Sequence, residues 1–203
     1  MNEVNLFILA DKTLTDVIFQ IKEDQWDMKM PDDFPTFDPE ANYTLREIIT
    51  YHAYDEAWVP AMLLGKTMEE VGKDAFGEPF DNELLDGDPK EKYSALSDKA
   101  IAAALSLSEH ELDTRMVHFS YGDFPAQEAL RHITSFRGLR VYDLSKALGI
   151  NTTMPQELVR GLWEMIEPRA EAWRKQGVFQ RIFEVPEDAP LQHRLLGLTG
   201  RKP

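Results

Sequence analysis

The stretch Val117–Gly149, VHFSYGDFPAQEALRHITSFRGLRVYDLSKALG, reads as a short strand, a turn and a long helix. Three arginines (Arg131, Arg137, Arg140), His132 and Asp143 lie on that helix among apolar residues. Polar groups on a partly buried helix are paired, solvated or bound to a ligand. A ligand site is therefore expected here. Tyr121-Gly-Asp123 turns the chain, Asp123 and Pro125 open the helix, and Gly149 ends it as the residue after its last turn.

Upstream, Phe7, Ala10, Leu14, Val17, Ile18 and Ile21 recur at helical spacing over Leu6–Lys22. A Pro-rich acidic connection, Pro31–Pro39, offers Phe34 and Phe37 for packing. Thr44-Leu-Arg-Glu47 is a capping box: Thr accepts an amide proton and Glu reaches back. The helix it opens runs to about Leu64 with an inner stripe of Leu45, Ile48, His52, Asp55, Val59 and Met62, bent at Pro60. Residues 65–87 read as a surface excursion rich in Gly, Pro and acid. Asp88-Pro89 starts a third helix, whose inner face is Tyr93, Leu96, Ala100, Ala103, Ala104 and Leu107. Past Gly149, Thr153-Met-Pro-Gln156 signals a fifth helix carrying Leu158, Val159, Leu162, Trp163 and Ile166, kinked at Pro168. Four amphipathic helices and one extended piece predict an all-α fold with minor β, an antiparallel four-helix bundle. It is expected to occupy residues 1–177, with a tail, residues 178–203, docked through Leu191–Leu198.

The composition narrows the chemistry. No cysteine is present, which excludes disulfides, thiolate zinc sites and a cysteine nucleophile. The net charge of −14 repels nucleic acid and anionic lipid, so neither is an expected partner. No apolar run is long enough to span a membrane. The N-terminal segment lacks a basic, cleavable leader, and a cytoplasmic location is expected. The expected partner is a small-molecule ligand, with the chain a monomer or homodimer. No phosphate loop, serine elbow or nucleophile triad is visible.

Several stretches together resemble the DinB/YfiT-like superfamily of four-helix bundles. They are Ala57-Trp-Val-Pro-Ala-Met-Leu-Leu-Gly65, Leu84-Leu-Asp-Gly-Asp-Pro89 with Tyr93, Val117–Pro125, Tyr142-Asp-Leu-Ser-Lys-Ala-Leu-Gly149, and the tail Val185–Leu196. The likeness is closer to the actinobacterial branch related to mycothiol-dependent maleylpyruvate isomerase. That resemblance implies a divalent metal held by a His on the second helix and two ligands four apart on the fourth. In this sequence the corresponding positions are Tyr51, Phe136 and Arg140. A guanidinium does not shed its proton to coordinate, so no metal is expected. An alternative set, His52 and Glu56 with His132 approaching from the fourth helix, would supply part of a site.

Arg140 thus stands where the resemblance puts a metal ligand. A buried guanidinium needs a carboxylate, from the protein or from a ligand. Asp55 is the expected internal partner; otherwise Arg140 clamps an anion beside Tyr51, His52 and Asp55. Tyr51, His52 and Arg140 are the candidate catalytic residues: a phenol that donates a proton, an imidazole base, and a fixed cation. Asp55, Glu56, Phe136, Arg137, Tyr142 and Trp163 are the candidate ligand-binding residues. Plainer readings make His52 and Glu56 a hydrogen-bonded pair on one helix face, Arg137 a solvent-facing flank residue, and Trp163 core. Three functions remain open. The first is a metal-independent enzyme of thiol-transferase or isomerase kind, or one of specialised metabolism. For it the resemblance implies a low-molecular-weight thiol (mycothiol) and no other cofactor is expected. The second is a non-catalytic binder, and the third a bundle with a closed cavity that acts through its surface or as a dimer.

Overall fold

The computed structural model describes every residue except Phe37, Pro39 and Asp81 and the side chain of Asn82. The packing role expected of Phe37, and the end of the connection at Pro39, therefore lie outside the described residues. The chain is mostly helical with one small sheet. Helix α1 spans Glu3–Phe19, α2 Leu45–Leu63, α3 Met68–Val71, α4 Pro89–Leu105 and α5 Glu109–Thr114. Strands β1 (Met116–Phe119) and β2 (Gly122–Pro125) precede α6 (Ala126–Leu148). Helices α7 (Gln156–Ile166), α8 (Ala170–Lys175) and α9 (Leu191–Leu198) complete it. The long helices pack on one another: α1 lies against α4 and α6, and α2 against α4. Among the described residues no helix is long and apolar enough to cross a membrane.

Caps explain the helix starts. Thr44 accepts from the Glu47 amide while Glu47 holds the Thr44 amide at 2.6 Å. Asp88 accepts from the Lys90 and Glu91 amides, with Pro89 as the first helical residue. The same Thr/Ser-x-x-Glu signature starts α3 at Thr67 and α5 at Ser108, so the excursion 65–87 contains a helical turn that its composition hides. Pro60 does not break α2, which continues a turn further to Leu63.

The fourth helix starts later than Asp123 and Pro125 suggest. Gly122–Pro125 instead pairs antiparallel with Met116–Phe119, from Met116↔Pro125 to Phe119↔Gly122. The Ala126 amide then donates to the Arg115 carbonyl, and the helix begins there with Pro125 as its cap. Gly122 adopts φ 147°, a left-handed value that favours glycine, at the end of the two-residue turn. At Pro168 the chain tightens into a 3-10 turn (Glu167–Arg169) before α8, because proline lacks the amide an α-helix would use.

The main core gathers Leu14, Ile18 and Ile21 with Trp26, Leu45, Ile49, Leu144 and Leu158, all essentially inaccessible. The tail joins it: α9 packs on α7, and Leu195 and Leu196 are buried there. Coil residue Phe183 donates its amide to the Gly197 carbonyl at 2.9 Å. A Cβ at position 197 would stand 2.4 Å from the Phe183 carbonyl oxygen, closer than real atoms pack.

Candidate functional site

Two polar groupings meet at the facing sides of α2 and α6. The deeper one is fully enclosed. Asp11 of α1, Glu56 of α2, Ser97 of α4 and Arg137 of α6 are all buried. Arg137 Nε donates to Glu56 at 2.6 Å and lies 3.8 Å from Asp11. Its Nη1 donates to the Ile133 carbonyl, and its guanidinium rests over Phe7. Tyr93 donates to the same Glu56 oxygen at 3.4 Å, and Ser97 to Asp11 at 2.7 Å. Arg137 is therefore not a solvent-facing residue. The reason is physical: two carboxyl groups, one from α1 and one from α2, converge on a position of α6 where a cation can answer both. Burial, and then the charge of Glu56, holds the Asp11 carboxyl well above the usual carboxylate range. Glu56 is thus committed to Arg137 and Tyr93, and the expected His52–Glu56 pair does not form.

The shallower grouping is aromatic and cationic. His52 is 1% exposed, and neither of its ring nitrogens has a hydrogen-bond partner among the described residues. It stacks on Phe136 at 4.6 Å. Tyr51 meets Phe136 edge-on at 6.2 Å and Phe80 at 5.3 Å, and Phe80 stacks on Tyr43 at 4.9 Å. Arg140 lies over Phe34 at 4.6 Å and over Phe136 at 5.2 Å. Tyr51, His52, Phe136 and Arg140, singled out from sequence, are thus neighbours. Of the residues that join them, Phe34 reads in the sequence as a packing residue, and Tyr43 and Phe80 carry no sequence signal beyond being aromatic.

Arg140 is not paired as expected. Its Nη1 donates to the Pro35 carbonyl at 2.9 Å, and its nearest carboxylate among the described residues is Asp143 at 3.8 Å, not Asp55. One turn of the same helix supplies that carboxylate, and Asp55 on α2 is not the partner. Asp143, however, is gripped by Arg201 through both oxygens, at 2.8 and 2.9 Å. Two arginines share one carboxylate, and among the described residues the buried Arg140 Nε has no partner. Burial pulls Arg140 down to about 10. Burial also lowers His52, reinforced by Arg140 and Arg137, so the imidazole is neutral. Burial and then the Asp55 charge raise Tyr51, which keeps its proton.

Asp55, half-buried one turn along α2 from Tyr51, is pushed up to about 6 by burial, against the lowering pull of Arg137. Its pKa lies above the roughly 3.9 of an unfolded aspartate, so the folded state binds the extra proton between those values. Stability from this group is full below about 4 and is lost as pH rises through about 6. Melting temperature is expected to fall across that window by calorimetry, and to fall less steeply in Asp55→Asn. An equal slope in both proteins would contradict this.

The remaining candidates lie elsewhere. The Tyr142 hydroxyl donates to the Lys202 carbonyl at 2.8 Å. Trp163 is covered by Arg194 at 4.8 Å, in an open groove of about 600 Å³ with Ile182–Glu187. His132 sits on the hairpin side, 3.4 Å from the Tyr121 hydroxyl and 3.5 Å from Glu128. Among the described residues no three His, Asp or Glu side chains are grouped as metal ligands. A phenol, a phenyl ring and a guanidinium do not fit a divalent ion, because the fixed positive charge of Arg140 repels it. Compared with family models, curated proteins and solved structures, the chain finds no match.

Proposed function

We propose that the chain is a DinB-like four-helix bundle, a cytoplasmic enzyme that takes a small anionic molecule between α2 and α6 and transforms it by acid–base chemistry without a metal. The observation that carries this reading is the charge imbalance at Arg140 among the described residues: Asp143 is occupied by Arg201, and a buried guanidinium atom has no partner there. A buried cation in that state is stabilised by an incoming carboxylate. Arg140 would hold the anion. His52, neutral and with neither ring nitrogen partnered among the described residues, would hydrogen-bond the ligand. Tyr51 would hydrogen-bond the ligand, and Asp55, titrating near 6, would exchange protons with solvent. The resemblance adds a low-molecular-weight thiol such as mycothiol as co-substrate, with Arg140 or His52 favouring its thiolate.

The test is calorimetric titration with benzoate and maleate at pH 7, together with NMR detection of fumarate from maleate when a small thiol is added. Thiolate addition to the double bond, rotation and expulsion of the thiolate would give fumarate with no net redox change. Binding that is lost in Arg140→Gln, with melting retained, is the expected result. Failure of both acids to bind would overturn the reading. Binding without turnover would favour a non-catalytic role, which the sealed Arg137–Glu56 pair also supports, because it fills the interior that a larger substrate would enter.

A further inference from the structure

We infer that Asp11 and Glu56 share one bound proton in the folded protein at neutral pH, carried on Asp11 Oδ1 and donated to Glu56 Oε2. This proton site is independent of the anion site proposed above. Hydrogen-bond accounting locates the proton. Thr15 donates its hydroxyl to Ser97 at 3.3 Å, and Ser97 passes its own hydrogen to Asp11 Oδ2 at 2.7 Å. Asp11 Oδ2 is therefore an acceptor. Glu56 Oε1 accepts from Arg137 Nε at 2.6 Å and from Tyr93 at 3.4 Å. The two other oxygens, Asp11 Oδ1 and Glu56 Oε2, are buried and have no partner among the described residues. Arg137 does not answer Asp11 Oδ1, since its Nε stands 3.8 Å away, beyond hydrogen-bonding distance. Glu56 stands within hydrogen-bonding reach of Asp11. One hydrogen between the two orphan oxygens satisfies both, and each would otherwise bear a desolvation cost.

Charge leads to the same place. The side chains of Asp11, Glu56 and Arg137 have no exposed surface. With both carboxyls ionised they would hold an uncompensated negative charge, and Asp55, which acts on Glu56 and Arg137 from α2, adds another once it ionises. One proton makes the three buried side chains neutral together. It belongs to Asp11 because Glu56 grips the guanidinium directly, whereas Asp11 receives only a neutral hydroxyl. Burial, and then the charge of Glu56, raise the Asp11 carboxyl in the same sense.

Infrared spectra at pH 7 should show the carbonyl stretch of a protonated carboxylic acid in the parent, lost in Asp11→Asn. The asparagine amide accepts from Ser97 and donates to Glu56, so this variant keeps the hydrogen-bond pattern without the titration. The folded Asp11 carboxyl lies above the roughly 3.9 of an unfolded aspartate. Its stabilisation is thus full below that value and is lost as pH rises toward the folded one. Between pH 5 and 7 the melting temperature of the parent should therefore fall relative to that of Asp11→Asn. Asp55 and the buried, neutral His52 are common to both proteins, so the difference isolates Asp11. A missing band in the parent, an undiminished band in Asp11→Asn, or melting temperatures that move in parallel would each overturn the shared proton. If Asp11→Asn melts early at every pH, carbon-13 spectra of aspartate-labelled parent decide. One carboxyl carbon should hold the protonated-acid position at pH 7, and its absence overturns the inference.

Discussion

Glu56→Ala should be among the most destabilising single changes in this protein, at about 3–5 kcal/mol, because it strands a buried guanidinium. Arg137 has no exposed surface to turn toward, and Asp11, 3.8 Å away, does not hydrogen-bond it as Glu56 does. For a chain of this length the loss corresponds to a fall in melting temperature of about 10 °C. The double variant Glu56→Leu/Arg137→Met should recover most of it, since a buried ion pair replaced by apolar groups of similar volume is often neutral or better. Urea or thermal melts of the single and double variants measure this directly. A single variant that melts with the parent would show that the pair contributes little to the fold.

Asp143→Ala should cost a comparable amount, about 3–5 kcal/mol, through a different route. It removes the bidentate partner of Arg201 and the nearest carboxylate of Arg140 together. Two cations, one on α6 and one beyond α9, are then left facing each other. Added benzoate should raise the melting temperature of this variant more than that of the parent, since the ligand restores part of the missing charge. Arg201→Ala should do the opposite. With Asp143 released it can close on Arg140, and anion affinity should fall although the fold loses less. Identical benzoate affinities in the parent and both variants would separate Asp143 from the site.

How much of this was legible in the sequence depends on how local each cause is. Thr44 and Asp88 announce helix starts because the cap and its amide lie within three residues. Thr67 carries the same signature but sits in an acid-rich stretch that reads as a surface excursion, and Ser108 carries it just past the third helix. The hairpin was hidden because Asp123-Phe-Pro125 resembles a helix start, and only pairing with Met116–Phe119 makes it a strand. Tyr51, His52, Phe136 and Arg140 could be grouped from helical spacing and the resemblance. The partners of those residues could not. Arg201 reaches Asp143 from 58 residues away, and Pro35 reaches Arg140 from 105. Arg137 reads as a flank residue on its own helix, and only the convergence of Asp11 and Glu56 draws it inside. One signal was available: Asp11 stands on the face shared by Phe7, Leu14 and Ile18, where an unanswered charge is costly.

The stitch between Phe183 and Gly197 fixes more than the local path of the tail. Any side chain at position 197 would push the coil off α9, so a distant relative that routes its C-terminal region this way is confined to glycine there. That single position, read with an arginine four residues later and an aspartate at the place of Asp143, makes a compact search pattern for kin whose overall likeness has eroded.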